Sequence, residues 1–148
     1  MDKHARILVV DDDVNIRKSM EAILVAEGYD VDLAGDGKEA IRKSESATYN
    51  IALIDIRLPD MDGVELLTRM RESVPKTRKI IITGYPSMQN AIEAVNRKAD
   101  AYIVKPVDVE KLLITIETHL ELQEMEKTYS EEKVVEYIET RVKEITNT

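Results

Sequence analysis

The chain carries the stretch Ile51-Ala52-Leu53-Ile54-Asp55-Ile56-Arg57-Leu58-Pro59-Asp60, in which an apolar run of strand length ends on a single carboxylate. Pro59, Asp60 and the nearby Gly63 mark the loop that follows. A continuous apolar run is typical of a strand that is covered on both faces, as in a parallel sheet. Such a strand delivers its last residue to the carboxyl edge of the sheet, where open α/β folds bind ligands. Asp55 is therefore the first candidate functional residue.

Three further apolar runs of strand length also end on polar side chains. They are residues 6–10 before Asp11-Asp12-Asp13, residues 79–82 before Thr83, and residues 101–104 before Lys105-Pro106. In a parallel sheet these strand ends meet at the same edge as Asp55. Acids, a hydroxyl and an ammonium group that converge at one place suit a divalent cation and a phosphoryl group.

Amphipathic helical segments alternate with the strand-like runs, and an alternating run at residues 29–34 supplies a fifth strand. The resulting (βα)5 pattern predicts an α/β fold, a doubly wound five-stranded parallel sheet with helices on both faces. The strand order 2-1-3-4-5 is taken over from the common flavodoxin-like arrangement. In that order the strands that end at Asp11 and Asp55 are neighbours.

The composition limits the classes of function. A chain of 148 residues is expected to form one domain, or one domain with an appendage. Its 21 basic and 29 acidic residues give a net charge of −8, which argues against direct nucleic-acid binding and against a membrane-surface role. There is no cysteine and hence no thiol chemistry. No apolar run approaches transmembrane length or resembles a signal peptide, so a cytoplasmic location is expected.

As a set, Asp11-Asp12, Asp55, Thr83 and Lys105-Pro106 resemble the receiver domain of two-component response regulators in residue type, order and spacing. The resemblance covers residues 5–122, and the run that starts at Asp55 is similar to receivers of nitrogen-regulator-type activators. It implies that Asp55 is the phosphoacceptor and that Mg²⁺ is the cofactor. The metal ligands that it implies are Asp11, at least partly through water, Asp12, Asp55 and the backbone carbonyl of Arg57.

The same resemblance implies roles for the residues around the phosphoryl group. Thr83 and Lys105 would bind it, and the peptide bond before Pro106 would be cis, so that the ammonium points inward. Thr83 and Tyr102 would form the switch that reshapes the face made by the fourth helix, the fifth strand and the fifth helix.

Three other positions bear on how such a receiver would behave. Arg57 and Tyr85 stand where members of this family tune the lifetime of the acyl phosphate. Lys98 departs from the family pattern, which often has glycine there. Because glycine suits a left-handed residue at a helix end, the lysine predicts that the fourth helix ends differently.

The expected partners are a sensor histidine kinase, which donates the phosphoryl group, and a downstream protein target or output domain. In this interpretation the chain is a signalling module that catalyses only its own phosphorylation and dephosphorylation. One alternative is the receiver portion of a transcription regulator whose output domain lies outside this chain. The other is an aspartate-nucleophile phosphatase, whose DxDx[TV] motif is half-matched by Asp11-Asp12-Asp13-Val14-Asn15.

Residues 123–148 are expected to form a C-terminal helical extension of the receiver. Thr128-Tyr129-Ser130-Glu131 fits a capping box that would start a new helix. After it, Val135, Ile138, Val142 and Ile145 are spaced like two heptads of an a/d seam, fewer than a coiled coil needs. The pattern leaves three roles open: a helix packed on its own domain, a homodimer contact, or a contact with another partner.

Overall fold

The computed structural model describes residues 4–147, which contain one parallel sheet with helices on both faces. The strands are β1 (Arg6–Val10), β2 (Asp30–Ala34), β3 (Ile51–Asp55), β4 (Arg78–Thr83) and β5 (Ala101–Val104). They pair in the order β2-β1-β3-β4-β5, and every pair is parallel. The predicted fold class and strand order are confirmed.

A helix follows each strand. The helices are α1 (Val14–Ala26), α2 (Gly37–Ser46), α3 (Gly63–Arg69), α4 (Met88–Asn96) and α5 (Val109–Thr146). Each begins after a residue whose side-chain oxygen accepts a backbone N–H of the first turn: Asp13, Asp36, Asp62, Ser87 and Asp108. Such caps satisfy N–H groups that have no partner within the helix. They therefore fix where each loop over the carboxyl edge of the sheet ends.

The apolar side chains form two cores, one on each face of the sheet. On one face Leu53 belongs to a buried cluster with Leu24 of α1 and Leu112 of α5. On the other face Ile54 belongs to a cluster with Leu66 of α3. Successive strand residues point to opposite faces, which is why neighbours in β3 enter different cores. Every residue of β3 is buried, so Asp55 at its end is held firmly at the edge.

The fifth helix runs without a break through 38 residues. The predicted start of a new helix at residues 128–131 is therefore wrong, and the boundary expected after residue 122 lies inside α5. Gln123 is the last buried residue, and residues 124–147 are all exposed. Gln123 and Glu126, which pairs with Arg78 at 2.9 Å, still contact the domain, whereas the described residues beyond them are exposed and argue against a helix packed on its own domain. No helix among the described residues is long and apolar enough to cross a membrane.

The end of α4 also differs from the prediction. Lys98 adopts a positive φ of 68°, the left-handed conformation that glycine adopts more easily. The backbone N–H of Lys98 donates to the carbonyl of Val95 at 3.0 Å, and that of Ala99 donates to the carbonyl of Ala94 at 2.8 Å. These bonds close the helix in the usual left-handed way. The lysine therefore takes up the strained conformation instead of changing the end of the helix.

Candidate functional site

The strand order brings the four predicted polar strand ends together at the carboxyl edge of the sheet. Asp11 follows β1, Asp55 and Thr83 are the last residues of β3 and β4, and Lys105 follows β5. Because β1, β3, β4 and β5 are consecutive neighbours, no strand intervenes between these groups. Asp11, Asp55 and Thr83 are buried, whereas Lys105 is partly exposed.

Lys105 joins the two buried acids. Its Nζ atom donates to Asp11 Oδ2 at 2.9 Å and to Asp55 Oδ2 at 3.0 Å. The remaining oxygens accept backbone N–H groups: Asp11 Oδ1 that of Asp13 at 2.9 Å, and Asp55 Oδ1 that of Arg57 at 3.1 Å. Charge-assisted hydrogen bonds of this kind hold both carboxylates in fixed orientations.

The electrostatics of the site reflect the crowding of like charges. Burial raises the pKa of Asp11, and the nearby charge of Asp55 adds to this, against the opposing effects of the Asp13 N–H and Lys105. Burial alone would lower the pKa of Lys105, but its hydrogen bonds and charge interactions with the two acids outweigh this and raise it. Lys105 is therefore firmly cationic and supplies one positive charge to the acidic edge.

A third carboxylate completes a candidate metal centre. Asp11, Asp12 and Asp55 each offer an oxygen, and these oxygens lie within 4.8 Å of one another. Asp12 is exposed, which leaves the cluster open to solvent on one side. Hard oxygen donors with room for waters fit Mg²⁺, which keeps several waters when it is bound by carboxylates. The residues present therefore suit the ion that the resemblance implies.

Gly63 makes the loop after β3 possible. A Cβ atom at this position would lie 2.2 Å from the backbone oxygen of Asp55 and 2.8 Å from the Cα of Ile56. The backbone N–H of Gly63 also donates to the carbonyl of Ile56 at 2.8 Å. The loop thus folds back directly beneath the acceptor candidate, and only glycine leaves room for it. The sequence predicts Gly63 only as part of the loop that follows the strand.

Arg57 and Tyr85 meet beside the site. The guanidinium carbon of Arg57 lies 3.6 Å from the centre of the Tyr85 ring, a close cation–π contact. The backbone N–H of Tyr85 also donates to the hydroxyl oxygen of Thr83 at 2.9 Å. The loops after β3 and β4 are therefore linked. The sequence placed each residue two positions beyond a strand end, but it gave no sign of their contact.

Tyr102 lies apart from the charged groups. It is half-buried in β5, packs against the core that contains Ile54 and Leu66, and turns its hydroxyl group inward. That hydroxyl is buried without a hydrogen-bond partner among the described residues. The peptide bond between Lys105 and Pro106 is cis.

Residues 7–117 match the protein family described as the response regulator receiver domain. The chain therefore belongs to the receiver domain family of two-component response regulators. A receiver domain protein (CheY-like) from Methanospirillum hungatei JF-1 is 46% identical to it, with a TM-score of 0.80 over 83% of this chain and 98% of that one.

The curated relatives are longer proteins. Regulatory protein AtoC of Escherichia coli K12 is 34% identical over 82% of this chain and 26% of its own length. Response regulator ArlR of Staphylococcus saprophyticus is 38% identical over 80% of this chain and 53% of its own length. The chain thus spans about a quarter to a half of the curated relatives that it matches.

Proposed function

We propose that Asp55 is the phosphoacceptor of this receiver and that its phosphorylation requires Mg²⁺. The observation that carries the proposal is the contact of Lys105 with both Asp55 and Asp11 at the strand ends, with Asp12 close by. A carboxylate in such surroundings can act as a nucleophile towards phosphorus. The geometry supports phosphoryl transfer because that reaction needs mainly positioning and the neutralisation of charge.

The donor in this proposal is the phosphohistidine of a sensor histidine kinase. An oxygen of Asp55 forms a bond to phosphorus while the phosphorus–nitrogen bond breaks, and the electron pair of that bond stays on the imidazole. Lys105 holds the acceptor before the reaction and neutralises oxygens of the transferred group after it. Thr83 donates its hydroxyl to the same group. Mg²⁺, held by Asp11, Asp12, Asp55 and the backbone carbonyl of Arg57, would supply further positive charge.

The proposed switch starts from the new charge on Asp55. Thr83 turns its hydroxyl towards the phosphoryl oxygens and draws the loop after β4 with it, which disturbs the contact between Tyr85 and Arg57. The inward position of Tyr102 belongs to the same two-state change. The length of time for which the acyl phosphate lasts depends on Arg57 and Tyr85 because they cover this side of the site.

The receiver portion is residues 5–122, with residues 123–148 as an extension that leads towards a partner, a second copy or an output domain. Because the curated relatives are longer regulators, an output domain outside this chain is one destination of the signal. A separate downstream protein is the other. In both cases the chain acts as a signalling module next to its kinase in the cytoplasm, and it makes no direct contact with nucleic acid.

The test is incubation with acetyl phosphate, followed by intact mass measurement. We expect one added phosphoryl group in the presence of Mg²⁺, none with a chelator, and none in Asp55→Asn. Asp13→Asn is the matched control because asparagine also caps a helix and Asp13 lies outside the acid cluster. Equal labelling of Asp55→Asn would refute the site. Loss of labelling in Asp11→Asn with metal binding retained would favour the phosphatase alternative.

A further inference from the structure

A cavity of about 470 Å³ lies at the start of β4, at the opposite edge of the sheet from Asp55. Its walls come from the end of α3, the segment that joins α3 to β4, the end of α4 and one residue of α5. This volume is in the range of small-molecule sites. The cavity has no part in the phosphorylation chemistry because the reacting groups all lie at the carboxyl edge.

The cavity is lined mainly by basic residues, although the chain as a whole carries a negative net charge. Its basic residues are Arg71, Lys76, Arg78, Lys79, Arg97 and Lys98, and its acidic residues are Glu72, Asp100 and Glu126. Six basic against three acidic residues give it a positive balance within a chain whose net charge is −8. A local excess of one charge in a cleft raises the local concentration of ions of the opposite charge.

Five of these six cations form no ion pair with another described residue. Lys76, Arg97 and Lys98 are exposed, and none of them forms an ion pair with another described residue. By contrast, Arg78 lies 2.9 Å from Glu126 and also contacts Asp100. The rim of the cavity thus carries positive charge that the protein itself leaves unneutralised.

The floor of the cavity contains a lysine whose charge is poorly solvated. Lys79 is half-buried, and its Nζ atom donates to the backbone carbonyl of Leu67 at 2.5 Å. Burial lowers the pKa of Lys79, against the opposing charges of Glu72 and Asp100. An anion in the cavity would favour the charged form of this lysine because it would replace part of the lost hydration.

Lys98 adds to the positive charge of the rim. It stands at the rim in a left-handed conformation, with φ at 68°, where glycine would fit without strain. The conformation places a cationic side chain at the edge of the cavity, where glycine would place none.

We propose that this cavity is a second ligand site, which binds a small polyanion of the inorganic polyphosphate or nucleotide phosphate class. A peptide is a poorer fit because β4 is paired on both sides and offers no free strand edge. The bound anion contacts the ends of α3 and α4 and the start of β4, and so links these elements. The site is independent of the phosphorylation of Asp55.

The test uses inorganic tripolyphosphate in metal-free buffer at low salt, measured by calorimetry and by amide chemical shifts. We expect one saturable site, with shift changes centred on the residues that line the cavity. The triple variant Lys76→Gln, Arg97→Gln and Lys98→Gly should bind at least about tenfold more weakly. The control removes three exposed lysines elsewhere, through Lys18→Gln, Lys111→Gln and Lys127→Gln. It should bind within about twofold of wild type.

Three results would overturn the proposal: no saturable binding, shift changes centred on Lys105, or an equal loss in the control. The single variant Lys98→Gly distinguishes a loss of binding from a loss of folding. Because glycine adopts the left-handed conformation without strain, weaker binding in this variant could not be due to lower stability. This variant should be more stable than wild type and yet bind tripolyphosphate more weakly. Unchanged affinity in this variant would exclude Lys98 from the site and contradict its placement at the rim.

Discussion

At the residue scale, the site depends on how closely the chain approaches itself at Gly63. The backbone of Asp55 and Ile56 fills the space where a side chain at residue 63 would begin. The acceptor candidate is thus held from two directions, by its hydrogen bonds to Lys105 and Arg57 and by the loop beneath it. A side chain at residue 63 would displace the backbone that carries the carboxylate of Asp55, the proposed acceptor.

We expect Gly63→Ala to reduce both stability and phosphorylation. Its Cβ would lie 2.2 Å from the backbone oxygen of Asp55, so the backbone must move. Overpacking of this kind destabilises proteins by about 1–3 kcal/mol, and the value here should lie at the upper end. Urea denaturation measures the loss, and acetyl phosphate labelling measures the rate.

Gly84→Ala is the matched control for this substitution. The added Cβ would meet only the side chain of Lys105, at 3.7 Å, which is an ordinary contact. Its stability should stay within about 0.5 kcal/mol of wild type. If Gly63→Ala were as stable and as readily labelled as Gly84→Ala, the close approach would have no bearing on the site.

At the scale of elements, α5 divides into a part that builds the domain and a part that leaves it. Leu112, Ile116, Leu120 and Gln123 are buried against the sheet. Beyond them Glu126 still contacts Arg78 at 2.9 Å, but the residues after it, up to residue 147, are exposed. In proteins most of the stability of a helix comes from packing of its apolar face, and this part of α5 has no packed face among the described residues.

Truncation after Lys127 should therefore leave the receiver intact. Because it retains Glu126, and because the described residues that it removes are all exposed, the free energy of unfolding should change by no more than about 0.5 kcal/mol. Urea denaturation at several low protein concentrations checks this and separates any effect of self-association. A loss above about 1 kcal/mol that does not depend on concentration would mean that the extension supports its own domain.

The contact between β4 and α5 should make stability depend on pH. His119 Nδ1 accepts an N–H of Arg78 at 3.2 Å, which requires a neutral ring nitrogen. Burial lowers the pKa of His119, the charge of Arg78 lowers it further, and Asp100 opposes both. The unfolded chain therefore binds this proton more readily than the folded protein does, and stability rises with pH in this range.

The stabilisation from His119 is fully present above its ordinary pKa of 6.5 and is lost as the pH falls through the lowered value. Unfolding free energies at about pH 7.5 and about pH 5.5 measure the change. We expect the decrease on acidification to be smaller in His119→Asn than in wild type. An identical decrease in both proteins would show that His119 contributes nothing to it.

The elements also show what the sequence could and could not predict. Strand runs that end on Asp11, Asp55, Thr83 and Lys105 predicted a parallel sheet and the meeting of these side chains at one edge, because strand direction and burial follow from the pattern. The strand order did not follow from the pattern and was taken over from the flavodoxin-like arrangement. The loop contacts of Gly63 and the meeting of Arg57 with Tyr85 depend on three-dimensional paths that no local pattern encodes.

Two errors arose where local rules competed with longer-range structure. The capping box at residues 128–131 did not start a new helix, because the helix already running through it leaves no N–H group without a partner. Lys98 adopted the conformation of glycine because the backbone hydrogen bonds at the end of α4 outweigh the local strain. In both cases the residue type was informative, but its neighbours decided the outcome.

At the scale of the whole molecule, the two edges of the sheet have opposite character. The carboxyl edge gathers three carboxylates, two of which contact Lys105, and this suits a metal ion and a phosphoryl group. The amino edge of β4 gathers cations around an open cavity. Helices on both faces connect the edges. The structural effect of charge added at Asp55 can therefore be transmitted to other surfaces only through the packed elements between them.

The most direct test is to locate the phosphoryl group after labelling with acetyl phosphate and Mg²⁺. Borohydride reduces an aspartyl phosphate to homoserine, and peptide mass spectrometry then identifies the modified position. We expect homoserine at residue 55 and an unmodified aspartate at residues 11, 12 and 13. Homoserine at residue 11, with residue 55 unchanged, would contradict the assignment of Asp55 as the acceptor.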